Sequence, residues 1–480
     1  MTPDSHSHSH LPHLIPAPAS HTTMARWEHT RLRRRMLGGE WREDLERRLL
    51  LQIGTVRKDA WGVAATTSNP FSQICREQSA LYSREPVVRA PKGDVIYGVL
   101  ADAIRDSGLW SKAQEFQAHV VGLRESFWRV DVSPTGSVSY RPVWPDLVEA
   151  RSDAARADQP VAIRELRWRD QWGWTWDHLS ILGEGAPFYK IERYGTDSDI
   201  TVDILGESYS GDSYPYRYSD GVPFLPYVIY HARSLGDRLW HERDLLETVE
   251  ASLDLAVYQT MLNHVFTDGS WPQRYMMGCS PSGGDTSADG SRREIIADPA
   301  VVLQLSHDPS FTGQPIIGQW QASASPRELE EVISSIANRV AIDAGLPPAD
   351  IQRMGGTARS GYAIALSNEG KRQAARRFAP SFRASDEELV GKTAALLNRA
   401  QGLGLPEFGY SVQYVDLPLS PEELRSRREH ALALLQAGLL SRVDAYMELN
   451  PGLTRAQAQL DLAEIDAQSA RLPLPPSSLQ

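Results

Sequence analysis

The sequence predicts an α+β protein, because helical and strand-like patterns occupy separate blocks of the chain. In residues 70–126, apolar side chains recur at the three- and four-residue spacing of helices. Residues 128–231 alternate apolar and polar side chains in short runs separated by turn residues, which is the pattern of β-hairpins. Helical spacing dominates again after residue 244. Separate blocks of this kind are typical of an α+β architecture.

Composition limits the class of protein. The chain has 480 residues, of which 41% are hydrophobic and 23% charged, so it is long enough for a large core and several domains. No run approaches the roughly 18 apolar residues that span a bilayer, and the N-terminus lacks the pattern of a secretory signal. The two cysteines, Cys75 and Cys279, are far apart, which fits a reducing compartment and argues against a disulfide framework.

Two N-terminal segments carry residues with chemical potential. Residues 1–23 contain His6, His8, His10, His13 and His21. These histidines could form a metal site or belong to a disordered leader, and we favour the leader because regular ligand spacing is missing. Residues 24–57 form an arginine-rich helical pattern, which could bind nucleic acid or form a solvated, ion-paired helix. Acidic residues are interspersed with the arginines, so we favour the ion-paired helix.

The middle block predicts three strand pairs and one further strand. The pairs are 128–132 with 137–143, 161–168 with 173–179, and 188–193 with 200–205. The further strand is expected at 226–231.

A helix, a glycine-rich insertion and a second helix follow. Apolar residues at helical spacing run from 244 to 265, and the insertion occupies 268–324. The second helix, 326–345, begins with a predicted capping box between Ser325 and Glu328, with proline at the first helical position. Strands are expected within the insertion at 274–277 and 295–305.

A loop and a long helix complete this central region. Residues 346–360 contain two prolines, two glycines and two arginines, which is the composition of a loop. The helical pattern resumes at Gly361 and continues to about residue 402, with a kink expected at Pro380. A strand at 410–415 is expected to rejoin the preceding sheet, and three short helices follow it.

The order of these features resembles the portal proteins of tailed double-stranded-DNA bacteriophages, the head-to-tail connector portal family. The resemblance lies in the helix, the compact insertion, the second helix, a loop beginning GLPPADI and the SGYAIAL start of a long kinked helix. A helical C-terminal section containing LLQAGLLSRVDAYMELNPGLTRAQAQ follows. The resemblance covers about half of the chain, roughly residues 240–470, and includes no catalytic signature.

The resemblance implies a portal-like division of the chain. Its parts would be a wing of helices and β-hairpins, two stem helices flanking a small α/β clip, a tunnel loop, a long kinked helix and a helical crown. The corresponding segments are a disordered leader 1–23, wing 24–236, first stem helix 237–267, clip 268–324, second stem helix 325–345, tunnel loop 346–360, tunnel and wing helix 361–402, wing strand 403–419, crown 420–470 and flexible tail 471–480.

The resemblance also implies a function. Portal proteins form a ring, usually of twelve copies, at one capsid vertex, and double-stranded DNA passes through it during packaging and ejection. The implied partners are DNA held without sequence preference, the terminase large subunit, capsid or scaffolding proteins, and a tail adaptor protein. The implied location is the virion, with assembly in the host cytoplasm. Because the terminase would hydrolyse ATP, we expect no enzymatic activity, cofactor or metal in this chain. The net charge of −11 would suit a conduit whose wall repels phosphate.

The resemblance assigns DNA contact to the tunnel loop, through Arg353, Met354, Gly355, Gly356 and Arg359. Arginines can donate hydrogen bonds to phosphate oxygens without reading the base sequence, and glycines allow the loop to change shape. Without the resemblance, we would interpret this segment as an ordinary connection between helices with solvated arginines.

A basic patch lies early in the long helix. Arg372, Arg376 and Arg377 are spaced so that they fall roughly on one side of it. We expect this patch to pair with an acidic face of the adjacent subunit, with direct DNA contact as the lesser option.

Two other motifs suggest different chemistry. Gly391-Lys392-Thr393 looks like the end of a phosphate-binding loop, but Asp386 stands where that motif requires glycine, and the surrounding pattern is helical. Trp168, Trp172, Trp174 and Trp176 form a cluster, and the even spacing of the last three predicts that they share one strand face. Such a face could bind sugars or stack on bases, but we favour hydrophobic packing against a helix or a neighbouring subunit.

The tryptophan cluster supports the alternative function, a carbohydrate-active enzyme or glycan-binding protein that uses the Trp/Tyr-rich region 168–218. An enzyme of this class would need two facing carboxylates, and the sequence nominates no pair. A non-portal scaffold or adaptor protein of similar helical content is a third hypothesis.

Overall fold

The computed structural model describes most of the chain. The described residues are 21–53, 69–91, 96–153, 155–181, 187–206, 214–233, 236–241, 244–270, 273–277, 279–281, 305–307, 312–314, 316–320, 325–346, 361–415, 421–450 and 455–469.

Helices and strands are both abundant, so the predicted α+β class is confirmed. The α-helices are α1 (His21–Gly38), α2 (Arg42–Ile53), α3 (Pro70–Glu77), α4 (Gly98–Asp106), α5 (Leu109–Leu123), α6 (Thr201–Leu205), α7 (Leu246–Ser270), α8 (Pro326–Asp343), α9 (Gly361–Gln401), α10 (Pro421–Gln436), α11 (Arg442–Leu449) and α12 (Arg455–Ser469). The strands are β1 (Val87–Arg89), β2 (Glu125–Val132), β3 (Val138–Val143), β4 (Val148–Asp153), β5 (Arg156–Arg169), β6 (Gly173–Ser180), β7 (Phe188–Arg193), β8 (Tyr227–His231), β9 (Gln273–Met277), β10 (Cys279–Pro281), β11 (Leu305–His307), β12 (Ile316–Trp320) and β13 (Ser411–Gln413).

The chain divides into two compact units. The first comprises Met1–Arg353 and Ala374–Val415, and the second comprises Met354–Gln373 and Asp416–Gln480. Helix α9 therefore contributes residues to both units. Among the described residues, no helix is long and apolar enough to cross a membrane.

The first unit is built around the antiparallel sheet β3-β2-β8, which is buried on both faces. Successive residues of a strand point to opposite faces. Trp128 and Tyr230 accordingly belong to a large core that they share with helices, whereas Phe127 and Ile229 belong to a second core. The four-stranded sheet β4-β5-β6-β7 supplies the other side of the second core. The three-stranded sheet is thus the middle layer between helices and a second sheet, which explains why all five residues of β8 are buried.

A buried ionic network joins the two sheets. Arg129 Nη1 donates to Asp177 Oδ2 at 2.6 Å and to the hydroxyl of Tyr227 at 2.8 Å. That hydroxyl in turn donates to Glu165 at 2.7 Å, and Arg141 binds both oxygens of Glu165. Burial alone would raise the pKa of Asp177 and of Glu165, but the surrounding arginines hold both values below the ordinary range. Both carboxyls are therefore ionised inside the fold.

The arginine-rich N-terminal helices are ion-paired within the chain, which confirms the ion pairing expected of this segment but not its solvation. Arg35 binds both oxygens of Asp44 at 2.6 and 2.8 Å, and Arg34 pairs with the buried Asp146 at 2.7 Å. Arg26 is itself buried and donates to the carbonyl oxygens of Pro145 and Val148. The helices are thus docked on the fold, and not simply solvated. Residues 1–20, most of the expected leader, lie outside the described residues.

The first two predicted hairpins are confirmed. β2 pairs with β3 and β5 pairs with β6, both antiparallel. The turn of the first hairpin contains Gly136 at φ +85°, a conformation that favours glycine. The strand expected at 226–231 is β8. One strand, β4, carries no clear alternation in its sequence and was not predicted.

The predicted strand at 200–205 is wrong, because residues 201–205 form the short helix α6. Asp199 Oδ1 accepts hydrogen bonds from the backbone N–H of Thr201 at 3.0 Å and from its hydroxyl at 2.5 Å. The Thr201 hydroxyl oxygen also accepts the N–H of Ile191 in β7 at 2.8 Å. A side chain therefore satisfies the edge of β7 where a paired strand was expected.

Two further expectations differ from the structure. Ser325 occupies the N-cap position of α8 but makes no capping hydrogen bond through its side chain, so the predicted capping box is not formed. The strand near 410–415 is β13, which pairs with β1 in a separate two-stranded sheet and does not rejoin the sheet of β2.

The long helix predicted from Gly361 is α9. It is a single helix that continues through Pro380 to Gln401.

The second unit contains the three predicted C-terminal helices, α10 to α12. Ser441 is the N-cap of α11, and its hydroxyl oxygen accepts the N–H of Asp444 at 3.1 Å. Arg442 in α11 binds both carboxylate oxygens of Asp466 in α12 at 2.6 and 3.0 Å.

Candidate functional site

Helices α7 and α8 pack against each other and form the first part of the candidate site. Pro326 lies in the first turn of α8, where its missing N–H costs nothing. One face of α8 is buried through Ala337, Val340 and Ala341. Val340 and Ala341 form a small apolar cluster with Ile74 of α3, and Ala251 of α7 packs against it. The two helices are therefore fixed to the rest of the first unit by apolar contact.

A β-structured insertion connects the two helices. β9 pairs antiparallel with β12, from Gln273 opposite Trp320 to Met277 opposite Ile316. Because β9 follows α7 and β12 precedes α8, the insertion leaves the helix pair and returns to it at adjacent points. β10 and β11 form a second antiparallel pair inside the insertion. Most of the strand predicted at 295–305 lies outside the described residues.

The opposite face of α8 is open to solvent in the single chain. Val332 is 44% exposed and Ile342 is 63% exposed. A groove of about 690 Å³ runs along this face, and its lining includes the exposed ion pair of Arg327 with Glu331. This face of α8 therefore combines exposed aliphatic side chains with charged ones.

Helix α9 is attached to strand β8 by side-chain hydrogen bonds. Ser381 donates to the carbonyl of His231 at 2.7 Å, Ser385 to that of Ile229 at 2.8 Å, and Lys392 to that of Tyr227 at 2.7 Å. These three carbonyls alternate along β8, which is an edge strand of its sheet. An edge strand presents unpaired carbonyls that need donors when they are buried. The helix supplies those donors and closes the edge.

A buried carboxyl group reinforces the same contact. Asp386 is 1% exposed, and its carboxylate accepts hydrogen bonds from the hydroxyls of Tyr82, Tyr230 and Tyr414 at distances between 2.6 and 3.0 Å. Burial raises the pKa of Asp386 to about 6, although the three tyrosine hydrogen bonds act in the opposite direction. The group joins α9 to residues from three distant parts of the sequence, so it is an anchor for the long helix.

The predicted tunnel-loop residues Arg353, Met354, Gly355, Gly356 and Arg359 lie outside the described residues. Their assignment to DNA contact stays a prediction.

The three arginines of the predicted basic patch do not share one environment. Arg372 is buried at 8% exposure, whereas Arg376 and Arg377 are exposed. Partial burial and the nearby charges of Arg124 and Arg233 lower the pKa of Arg377. The inter-subunit role of the patch stays a prediction, with Arg376 and Arg377 as its exposed members.

The tryptophan cluster does not form one platform, so that prediction is wrong. Trp176 is 5% exposed and belongs to a small core with Trp27. Trp172 lies in the turn between β5 and β6 and packs against the second core of the first unit. Trp168 and Trp174 contact each other edge to face, with ring centroids 5.5 Å apart. Trp174 also packs against the small core of Trp27 and Trp176, so three of the four rings serve packing.

Lys392 of the Gly-Lys-Thr triplet is used within the fold. It is buried in α9, where its ammonium group pairs with Glu388 at 2.7 Å in addition to its hydrogen bond with β8. Gly391 lies where a Cβ atom would approach the carbonyl oxygen of Glu407 to 2.5 Å. The triplet therefore has a packing explanation at both positions.

Sequence reasoning missed the residues that anchor α9. Ser381, Ser385, Asp386 and Lys392 are polar residues among the apolar side chains that α9 buries. The sequence does contain a signal for this polar face. Ser381, Ser385 and Lys392 are separated by four and seven residues, which places them on one side of a helix. Their partners in β8 and in the tyrosine group carry no local pattern that points to α9.

Comparisons with known proteins find similarity among solved structures. No protein-family model matches the sequence, and no curated protein matches it. A solved structure described as the neck of an empty GTA particle, computed with C6 symmetry, is similar with a TM-score of 0.46 and 14% sequence identity. The similarity covers 83% of this chain and 94% of that chain. A similarity at this level does not by itself establish a common fold.

Proposed function

We propose that this chain is the portal subunit of a tailed-phage-like particle. Copies of it form a ring-shaped channel at one capsid vertex, through which double-stranded DNA enters during packaging and leaves during ejection. The mature protein is located in the virion, after assembly in the host cytoplasm.

The observation that carries this proposal is the order of elements around the insertion. Two packed helices, α7 and α8, bracket a β-structured insertion whose ends are closed by the β9–β12 pair. The 41-residue helix α9 follows, which at 1.5 Å per residue is about 60 Å long, and three helices end the chain. This is the order that the sequence resemblance assigns to stem, clip, stem, tunnel helix and crown.

The insertion, 268–324, is the docking site for the terminase large subunit and later for the tail adaptor. The strand pairs fix both ends of the insertion beside the helix pair, so partners can bind to it without altering the cores of the first unit. Since ATP hydrolysis belongs to the terminase in this proposal, the chain itself is not an enzyme. Capsid or scaffolding proteins are the remaining partners.

The loop 346–360 contacts the DNA backbone in this proposal. Arg353 and Arg359 supply charge-assisted hydrogen bonds to phosphates, while Met354, Gly355 and Gly356 lie between them in the sequence. Phosphate contacts of this kind carry no sequence information, which is what a conduit for a whole genome requires.

The open face of α8 is a subunit contact in the ring. A closed ring uses a heterologous interface, in which one face of each copy meets a different face of its neighbour. Val332 and Ile342 would lose solvent exposure there, and each fully buried aliphatic side chain contributes about 1.5–3 kcal/mol. The basic patch of α9 is a second subunit contact in this proposal. Its exposed members, Arg376 and Arg377, pair with acidic groups of the neighbouring copy, and the buried Arg372 precedes them in the sequence.

The carbohydrate-active alternative is not favoured. Its expected binding platform would need several tryptophan faces open to solvent, but Trp176 is buried and Trp172 packs against a core. A non-portal scaffold or adaptor protein differs from a portal in its assembly state.

The test is the mass and shape of the purified particle. We expect native mass spectrometry to give about twelve copies and averaged electron micrographs to show a ring with a central hole wide enough for duplex DNA. A monomer with glycan affinity would support the carbohydrate alternative, and a small oligomer without a hole would support the scaffold or adaptor hypothesis.

A further inference from the structure

Three side chains with metal-ligating atoms meet at the end of strands β2 and β8. Glu125 is the first residue of β2 and lies directly opposite His231, the last residue of β8, in the antiparallel register. Residues opposite each other in such a pair project from the same face of the sheet. His241 approaches the same point from the segment that precedes α7. One candidate ligand atom from each of Glu125, His231 and His241 lies within 4.8 Å of the other two.

The hydrogen bonds of His231 leave one ring nitrogen for a ligand. Its Nε2 lies 3.1 Å from the carbonyl oxygen of Asp158, which can only accept, so Nε2 carries the proton. The neutral ring then has its lone pair on Nδ1, which is buried without a hydrogen-bond partner. His231 is 5% exposed, so this nitrogen is shielded from solvent. Metal-bound histidines commonly donate their second nitrogen to a backbone carbonyl in this way.

Glu125 and His241 are held near each other by the backbone. The N–H of His241 points at the Glu125 carboxylate, with distances of 3.2 and 3.4 Å to its two oxygens. Nδ1 of His241 lies 3.5 Å from Glu125 Oε2 and is a second buried nitrogen without a hydrogen-bond partner. The rings of His231 and His241 are 5.6 Å apart at an interplanar angle of 76°. Two imidazole nitrogens thus face one carboxylate.

We propose that Glu125, His231 and His241 bind a divalent transition-metal ion with the preferences of zinc. Two imidazoles and one carboxylate form a ligand set that Zn²⁺ takes in proteins, with a fourth position left for water. Metal–ligand distances of about 2.0–2.2 Å place tetrahedral ligand atoms about 3.3–3.5 Å apart. Nδ1 of His241 and Oε2 of Glu125 are already 3.5 Å apart, and the ligand atom of His231 lies within 4.8 Å of both partners.

The surroundings of the three ligands contain two arginines and an open groove. Arg124 pairs with the carboxylate of Asp244 at 3.2 Å, and Arg33 donates to the carbonyl of Asp244. The charge of Arg33 also acts on Glu125, so a bound cation would compete with it there. A groove of about 770 Å³ is lined by His241 and Asp244 among others. It brings solvent to His241, the outermost of the three ligands.

A metal at this point would act as a structural tie. It would link the ends of β2 and β8 to residue 241, shortly before α7 begins at Leu246. The chain entering the helix pair would then be fixed to the central sheet. This role does not depend on the proposed portal function.

The test measures Zn²⁺ binding to the full chain. The N-terminal histidines would bind zinc themselves, so the reference protein carries His6, His8, His10, His13 and His21 replaced by Gln. We expect equilibrium dialysis with metal analysis to give one Zn²⁺ per reference chain at neutral pH. In that background His231→Gln and Glu125→Gln should weaken binding at least tenfold. Gln at position 231 can still donate to Asp158, and Gln at position 125 can still accept the His241 N–H.

The matched control is His178→Gln. His178 lies 3.7 Å from Glu192, and among the residues that the structure describes this histidine–glutamate pair has no third metal-ligating side chain. Its replacement should leave the bound zinc unchanged. Absence of bound Zn²⁺ in the reference chain, or equal loss in all three variants, would overturn the proposal.

A second measurement covers the case in which the variants at 125 and 231 do not fold. In the reference chain, one equivalent of Zn²⁺ should protect His241, but not His178, from modification by diethyl pyrocarbonate, as read by mass spectrometry. Co²⁺ at the same stoichiometry should give a ligand-field spectrum of low coordination number. Unchanged modification of His241 in the presence of Zn²⁺ would contradict the site directly.

Discussion

The buried carboxyl of Asp386 makes the stability of the first unit depend on pH in an unusual direction. Its pKa in the folded chain is about 6, compared with an ordinary value of 3.8. The folded state therefore binds this proton more tightly than the unfolded state does. The resulting stabilisation is complete below the unfolded pKa and is lost as the pH rises through about 6.

The size of this effect follows from the two pKa values. One pKa unit corresponds to 1.36 kcal/mol, so the difference between 3.8 and about 6 is worth about 3 kcal/mol in total. About 2 kcal/mol of it is lost between about pH 4.5 and about pH 7.5. Asp386→Asn removes the titrating group but keeps an oxygen acceptor for the tyrosine hydroxyls. The free energy of unfolding of this variant should therefore lack the part that depends on protonation of residue 386.

The assay is equilibrium unfolding in urea at both pH values for the wild-type chain and Asp386→Asn. The free energy of unfolding of the variant, minus that of the wild type, should be about 2 kcal/mol larger at about pH 7.5 than at about pH 4.5. Contributions from other carboxyls cancel in this difference. Asp177→Asn is the control, because arginines hold the pKa of Asp177 below its ordinary value and its effect should be nearly constant over this range. A pH-independent difference for Asp386→Asn would refute the reasoning.

Three further predictions concern the sheets, the ring and the loop. Asp177→Asn removes the closest anion of Arg129, which is 3% exposed, and should lower the free energy of unfolding by about 3 kcal/mol in urea titrations at neutral pH. Val332→Glu with Ile342→Glu should prevent ring assembly in native mass spectrometry, while the free energy of unfolding of the single chain changes by less than about 0.5 kcal/mol per site. Arg353→Glu with Arg359→Glu should leave rings intact but lower the DNA content per particle in a complementation assay, because phosphate contacts become repulsive.

Each of these variants has a control that the chain provides. For the sheets, Asp237→Asn removes an exposed carboxylate and should change stability little, so an equal loss in both variants would contradict the role of burial. For the ring, Leu51→Glu tests another exposed apolar residue, and normal rings from the α8 variant would remove that face from the interface. For the loop, Arg84→Glu with Arg425→Glu makes the same charge change at two exposed arginines outside the loop and should leave the DNA content unchanged. Normal DNA content in the Arg353 and Arg359 variant would remove the DNA-contact assignment.

The elements predicted correctly are those whose signals are local. The β2–β3 hairpin follows from alternating residues around a glycine turn, and the start of α8 follows from the proline after Ser325. The segment 200–205 was mispredicted because its hydrogen bonds to Ile191 and within the Asp199 turn outweigh its apolar alternation. Trp172 was misplaced because strand spacing was extended into a turn.

The candidate sites contain groups that sequence reasoning could not bring together. Asp386 meets Tyr82, Tyr230 and Tyr414, which come from distant segments of the chain, and no short motif links them. His231 and Glu125 are likewise paired only by strand register. A single sequence indicates which segments are helices and strands, but long-range pairing decides which polar groups become buried neighbours.

The central claim is that copies of this chain assemble around a hole through which DNA passes. The most direct measurement is the averaged electron micrograph of the purified particle viewed along its symmetry axis, supported by its mass in solution. The account predicts a closed ring of about twelve copies with an open centre wide enough for duplex DNA. A particle that is monomeric under all assembly conditions, or an oligomer with a filled centre, would contradict it.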